Sequence, residues 1–209
     1  LQDFIAKQIK ECKEKNMLLS LHLKASMMKV SDPIIFGHVL KVFFKNFIEK
    51  NKTVLNEINV NFNSGLSNIF EKLNQLDNLS REKLVSEIEL DIKNGPDLAM
   101  VNSDKNITNF HIPSDIIIDA SMPAMIKSSG KMWDKSGELR DTKAVIPDSS
   151  YSSIYQATID FCKENGQFDP ASMGTVQNVG LMAKKAEEYG SHDKTFEIKA
   201  DGKVCVEAK

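Results

Sequence analysis

The sequence predicts an α/β fold of mixed helices and strands. Spacing typical of amphipathic helices covers much of the chain, and short apolar runs at 18–24 and 144–147 have the length and composition of strands. Near the end of the chain, Asp201-Gly202 is a good two-residue turn for a β-hairpin. Elements of both kinds in one chain indicate a layered α/β or α+β domain.

The sharpest break in the sequence, Asn94-Gly95-Pro96, divides a predicted helical part, 1–94, from a predicted mixed part, 95–209. At 209 residues, both parts fit a single segment of one large domain. Asp32-Pro33 fits a helix N-terminus, and Ser80 fits a weak helix cap. The elements predicted for the helical part are helices over 1–17, 32–50, 64–76 and 80–93 and a strand over 18–24.

The mixed part contains one segment with two interpretations. The run from Ile116 to Asp119 fits either a strand or the start of a helix, and Pro123 favours a new helix from there through Ile126. The other elements predicted for this part are a polar turn at 102–106, a loop or hairpin at 130–143, a strand at 144–147, helices at 149–164 and 175–189, and strands at 195–198 and 204–206.

The composition excludes several classes of partner. A net charge of −2 and a pI near 6.1 argue against nucleic acid, because phosphate binding needs a basic surface. No apolar run approaches the ~18 residues of a membrane-spanning helix, so we expect no membrane partner. Cys12, Cys162 and Cys205 are widely spaced and form no CxxC pair, which favours reduced thiols and a cytoplasmic location.

Several familiar site motifs are missing from the sequence. None of the ten glycines forms a GxG pair, so the chain has no Rossmann fingerprint, and it has no P-loop, GxSxG elbow or HExxH motif. The cofactor-binding residues are therefore unknown from sequence. His22, His38 and His111 lack the spacing of a zinc site, and we expect them to be structural histidines with satisfied hydrogen bonds.

Two residues are candidates for proton transfer. Lys24 ends an apolar strand-like run, and burial at a strand end disfavours a charged ammonium group, so a lysine there can accept a proton. Tyr189 ends a predicted helix, and a tyrosine hydroxyl near positive charge can act as a general acid. Taken singly, each also fits a commoner role, a surface lysine and a packing tyrosine.

Asp119 is a candidate metal ligand. It follows three isoleucines, and an acid after an apolar run is often found at the carboxyl edge of a sheet, where ligands gather in α/β folds. Its carboxylate would suit Mg²⁺ or Mn²⁺, which prefer oxygen ligands. Asp115 is an equal candidate on composition, and a helix N-cap is the commoner role, so the residues alone leave the choice open.

Four long segments of the chain have distinctive sequences: LSLHLKASMMKVSDPIIFGHVLKVFFK (19–45), PSDIIIDASMPAMIKSSGKMW (113–133), DTKAVIPDSSYSSIYQ (141–156) and VGLMAKKAEEYGSHDKTFEI (179–198). These segments resemble the monomeric-type NADP-dependent isocitrate dehydrogenases. Together they cover more than a third of the chain and occur in the family's order. The resemblance is specific, because long stretches of closely similar amino-acid sequence do not arise by chance.

The resemblance implies a fold, an activity and three site residues. The chain would be part of the large domain of a decarboxylating dehydrogenase that converts isocitrate to 2-oxoglutarate and CO₂ with NADP and Mg²⁺ or Mn²⁺. Lys24 matches the family's catalytic lysine in LHLKA, and Tyr189 its catalytic tyrosine in AEEYGSHDK. Asp119, in IIIDASMPAM, matches a metal-ligating aspartate, so the resemblance favours it over Asp115.

The resemblance also implies that much of the site lies elsewhere. Family members are several times longer, and their substrate loop, other metal aspartates and most NADP contacts fall outside this segment. Arg81 and Arg140 are the only arginines, so the clamp that a tricarboxylate needs is expected from the remainder of the parent chain. The chain also opens without Met. We therefore expect an internal segment, inactive alone; the alternative is a non-catalytic structural or metal-binding module built on the same scaffold.

Overall fold

The computed structural model describes residues 1–24, 31–113 and 117–167, with the side chains of residues 119 and 150 excepted. The chain divides into two compact units, Leu1–Asn165 and Gly166–Lys209, and every element below lies in the first. Tyr189, Asp115 and the helix and strands predicted beyond residue 174 lie outside the described residues.

The described residues form seven α-helices and five strands, which confirms the predicted mixed α/β class. The helices are α1 Gln2–Glu14, α2 Ser31–Phe43, α3 Lys45–Glu57, α4 Leu66–Leu73, α5 Asn78–Asn94, α6 Ile118–Lys127 and α7 Ser149–Asn165. The strands are β1 Leu18–Leu21, β2 Met100–Asn102, β3 Ile107–Thr108, β4 Lys131–Trp133 and β5 Leu139–Val145. A short 3₁₀ turn, Phe62–Ser64, precedes α4.

Strand β5 is the centre of a three-stranded sheet with the order β1-β5-β4. Strand β1 runs parallel to β5, from Leu18 opposite Thr142 to Leu21 opposite Val145, and β4 forms an antiparallel hairpin with β5. All four residues of β1 are buried, as expected for a parallel strand covered on both faces. Of the loop or hairpin predicted at 130–143, the hairpin is observed, but its second strand runs from Leu139 to Val145 and covers only the first two residues of the strand predicted at 144–147.

The main core is a cluster of buried aromatic and aliphatic side chains that packs α1 to α5 around β1. At its centre, the ring of Phe110 lies 5.2 Å from that of Phe43, at an interplanar angle of 89°. The rings of Phe36 and Phe44 also approach Phe110 edge-on, with centroids 6.4 and 6.5 Å away. Edge-to-face pairs of this kind add to the free energy gained from burial. Phe110 is therefore the ring through which α2 contacts the segment after β3.

A second, smaller cluster packs α6 against the sheet and α7. It consists of Ile118, Met122 and Met125 from α6, with partly buried neighbours Met132, Ala144, Ile146, Tyr151 and Tyr155. Because α6 carries its apolar residues at helical spacing on one side, that side faces the sheet. This cluster fixes the position of α6 beside β4 and β5.

Three predicted boundaries were wrong. The single helix predicted over 32–50 is two helices that meet at Phe44, although apolar periodicity runs through the junction. The start of α5 is capped by Asp77, whose side chain accepts from the Ser80 amide, so Ser80 lies inside the helix. Helix α6 begins at Ile118, which is the helix start that the sequence left open for the run ending at Asp119, and only the later start at Pro123 was wrong. Pro123 lies inside the helix and lacks an amide proton for the carbonyl four residues earlier, at Asp119.

The assignment of Asp77 as the N-cap of α5 can be tested by substitution. Replacing Asp77 with Ala should lower the melting temperature of the full-length protein, because the Ser80 amide loses its acceptor. Asp77→Asn is the matched control, since asparagine is also a good N-cap, and it should retain most of the stability. Hydrogen bonds from Ser80 also hold the pKa of Asp77 below its usual value, so the cap should weaken in acid. Equal melting temperatures for Ala and wild type would contradict the assignment.

Candidate functional site

The candidate site lies where the chain leaves the carboxyl end of β1. The amide of His22 donates to the carbonyl of Val145 at 2.9 Å, which extends the parallel pairing one residue beyond the strand. Leu23 then forms a parallel bridge with Ile117, and the Ile118 amide donates to the Leu23 carbonyl at 2.7 Å. The first turn of α6 therefore starts directly beside the end of β1.

This contact brings together the backbones of two of the predicted site residues. Lys24 directly follows Leu23, and Asp119 directly follows Ile118, so the backbones of both leave the same hydrogen-bonded pair. They lie far apart in the sequence, and the fold makes them neighbours at the carboxyl edge of the sheet. That edge is where ligands bind in α/β folds.

The position of Lys24 is held from a second side by α2. Asp32, in the first turn of α2, is fully buried, and its Oδ2 accepts the backbone amide of Lys24 at 2.7 Å. A carboxylate accepting an amide proton makes a charge-assisted hydrogen bond, which is stronger than a neutral one. Lys24 itself is partly buried. The sequence identified Asp32 only as a helix start.

His22 is a site feature that the sequence predicted incompletely. It is fully buried, and its Nδ1 lies 2.7 Å from the hydroxyl of Ser121 in α6. Its Nε2 has no hydrogen-bond partner in the described part of the chain, so the expectation of a fully satisfied structural histidine was wrong there. The available signal was the alternation of Ser20 and His22 with leucines, which places two polar residues on one face of a buried strand.

Tyr155 closes the site from the side of α7. Its hydroxyl donates to the carbonyl of Ile118 at 3.0 Å, so α7 contacts the residue before Asp119. No local pattern in the sequence singles out this tyrosine, because a partly buried tyrosine in an amphipathic helix is ordinary. The contact depends on the packing of α7 against α6.

Burial of His22 predicts a dependence of stability on pH. Burial lowers the pKa of His22 to about 4 from its ordinary 6.5, so the unfolded chain takes up a proton that the folded chain does not. Stability should therefore be retained above pH 6.5 and lost as the pH falls toward 4, by about 3 kcal/mol at most. The melting temperature of wild type should fall more between pH 7 and pH 5 than that of His22→Asn, which cannot titrate; parallel slopes would contradict this.

The donors at the site fit one part of a metal shell. A hard divalent cation takes about six oxygen ligands, and Asp119 would provide one carboxylate at the edge of the sheet. Among the side chains that the structure describes, which do not include that of Asp119, no three His, Cys, Asp or Glu form a group able to hold a metal.

None of the helices in the described ranges combines the length and the apolar character that crossing a bilayer requires.

Comparisons with known proteins agree over the whole chain. A family model described as "Monomeric isocitrate dehydrogenase" matches residues 1–209. The "Isocitrate dehydrogenase [NADP]" of Azotobacter vinelandii is 53% identical over 206 residues, which are 99% of this chain and 28% of that protein. The protein of the same name from Corynebacterium efficiens is 55% identical over 208 residues, 100% of this chain and 28% of that protein. The chain thus spans just over a quarter of the length of these curated relatives.

Proposed function

The chain belongs to the monomeric isocitrate dehydrogenase family, and on that basis we propose that its parent protein is an NADP-dependent isocitrate dehydrogenase. The parent oxidises isocitrate and decarboxylates the product to 2-oxoglutarate and CO₂, with NADP as hydride acceptor and Mg²⁺ or Mn²⁺ as metal. This segment belongs to the large domain, and it acts with the remainder of the parent chain in the cytoplasm. Within the structure, the proposal is supported by the Leu23–Ile118 hydrogen bond, because Lys24 and Asp119 directly follow the two bonded residues.

Asp119 supplies one carboxylate ligand to the metal in this proposal. When bound, the metal withdraws electron density from the substrate's hydroxyl and carboxylate oxygens. Asp119 belongs to the first turn of α6, whose amide at Ile118 is already used by Leu23, so the turn is fixed against the sheet. A ligand on a fixed helical turn keeps its geometry during turnover. The other ligands come from parent residues outside this segment.

Lys24 and Tyr189 handle protons. Lys24 accepts the proton of the substrate hydroxyl as the hydride leaves the same carbon for NADP. Loss of CO₂ then breaks the bond to the neighbouring carbon and leaves an enolate, and Tyr189 donates the proton that converts it to 2-oxoglutarate. The support for Lys24 is its partial burial and the Asp32 contact that fixes its backbone, because a general base must keep a set distance from its proton.

The full-length parent enzyme tests this function. With isocitrate, NADP and Mn²⁺ it should form one NADPH and one CO₂ per isocitrate, and malate, which lacks the third carboxylate, should be turned over far more slowly. Removing the metal with a chelator should abolish turnover, and added Mn²⁺ should restore it. The 209-residue chain alone should show no turnover. A parent that prefers malate, or that works without metal, would contradict the proposal.

A further inference from the structure

The polar face of β1 contains two buried side chains with different tasks. Ser20 accepts a hydrogen bond from Asn109 Nδ2 at 2.9 Å, and both residues belong to the interior of the fold. His22, two residues later on the same face, instead lies 2.7 Å from the hydroxyl of Ser121, the fourth residue of α6. The first pair is a link inside the core, whereas the second joins β1 to the helix that carries Asp119.

We propose that His22 and Ser121 are positioning residues that hold the first turn of α6 in register with the end of β1. The inference rests on the proposed function and deepens it, because the two connected elements carry Lys24 and Asp119. Neither residue contacts the reacting atoms in this proposal. Their hydrogen bond sets the spacing between the proton acceptor and the metal carboxylate.

The start of α6 needs an external support. Its N-cap residue, Ile117, has no hydrogen-bonding side chain, and Pro123 supplies no amide proton to the carbonyl of Asp119. The described residues hold this turn by the Leu23 and Tyr155 contacts with Ile118 and by the His22–Ser121 bond. Apolar packing of Ile118 and Met122 presses the helix against its neighbours without direction. Of the three hydrogen bonds, the His22–Ser121 bond is the one that reaches past Asp119, so it sets the rotation of the turn about the Ile118 contact.

Histidine suits this position for a geometric reason. Its rigid ring is enclosed on every side, so Nδ1 has a fixed place from which to meet the Ser121 hydroxyl. A leucine would fill similar space without the cost of burying ring nitrogens, one of which lacks a partner in the described part of the protein. A buried polar atom without a hydrogen-bond partner calls for an explanation. Here the explanation is that the histidine holds two elements of the site in register. Residues that orient the ligands of a metal without binding it themselves affect both metal affinity and activity.

Variants of the full-length parent separate positioning from stability. His22→Leu and Ser121→Ala each remove the bond between the elements, and each should lower kcat roughly 10- to 100-fold and weaken Mn²⁺ binding by a similar factor. His22→Asn should restore most of both, because its amide occupies the place of Nδ1, whereas the longer His22→Gln places its amide near Nε2 and should not. Ser20→Ala is the matched control, since it removes a buried hydrogen bond from the same strand face without touching α6.

Three measurements decide the outcome. The melting temperature reports stability, kcat at saturating isocitrate reports turnover, and calorimetric titration with Mn²⁺ alone reports metal binding without substrate. Ser20→Ala should lower the melting temperature while kcat and Mn²⁺ affinity stay within about twofold of wild type. If His22→Leu and Ser121→Ala behave like Ser20→Ala, the positioning role is overturned. If wild type does not oxidise isocitrate, the proposed function fails by itself, and the Mn²⁺ titration still decides the positioning role.

Discussion

In the full-length parent enzyme, Lys24→Met is expected to lower kcat for NADPH formation by ~10²–10⁴-fold. Methionine keeps most of the apolar stem of a partly buried lysine, so packing beside Leu23 should change little. What is lost is the group that accepts the hydroxyl proton, and without it the hydride must leave while the substrate hydroxyl still carries its proton. Initial-rate kinetics over a range of pH measure the effect, and the pH dependence of kcat/KM should also change shape.

Lys143→Met is the matched control for Lys24→Met. Lys143 is a partly buried lysine of β5 that forms an ion pair with Glu11, and it lies on the same sheet as β1. Losing it should reduce stability through the Glu11 pair while leaving kcat within about twofold. Near wild-type turnover in Lys24→Met, or an equal loss of turnover in both variants, would contradict the catalytic assignment.

Phe110→Ala is expected to have the largest effect on stability, about 3–5 kcal/mol. The ring is fully buried and meets three other phenylalanine rings, so its removal leaves a cavity lined by aromatic edges. The carbonyl of Phe110 accepts the amide of Leu66, the first residue of α4, at 2.9 Å. In the variant, the start of α4 would therefore lie next to the cavity. The denaturant midpoint of the transition that includes this unit measures the loss.

Leu79→Ala provides the comparison for the Phe110 variant. Leu79 is 79% exposed at the start of α5, so its truncation removes apolar surface without making a cavity. Its effect should stay within about 0.5 kcal/mol. If Phe110→Ala shifts the midpoint no more than Leu79→Ala does, the aromatic cluster does not organise the core as described.

Local patterns predicted most elements and failed where a boundary depends on contacts between distant residues. The end of α5 at Asn94 was predicted to within one residue because glycine and proline act on their own backbone. Phe44 was not recognised as a helix junction, because its burial against Phe110 keeps the apolar periodicity intact. Pro123 was read as a helix start, although the bond between Leu23 and Ile118 starts α6 earlier in the chain.

The candidate site shows the same division. Lys24 and Asp119 were singled out by residue type and then by family resemblance, and neither signal contains their distance in space. Their backbones become neighbours through pairing between Leu23 and Ile117, which no periodicity encodes. His22 escaped attention because a buried histidine is usually structural, and its meaning depends on the Ser121 hydroxyl that the fold brings to it.

The pairing of β1 with β5 also sets the order in which the protein can be assembled. Asn16 and Arg140, which flank this pairing and bond to each other, are 124 residues apart in the sequence. At roughly 5–20 residues per second, a ribosome needs about 6–25 s to deliver the partner strand after β1 has emerged. During that time the helices can form, because their hydrogen bonds join residues close in sequence. The leucine-rich β1 segment meanwhile has an unpaired edge to which other chains could add a strand. The strand that later leads into Lys24 is thus a part of the nascent chain that needs protection from such pairing.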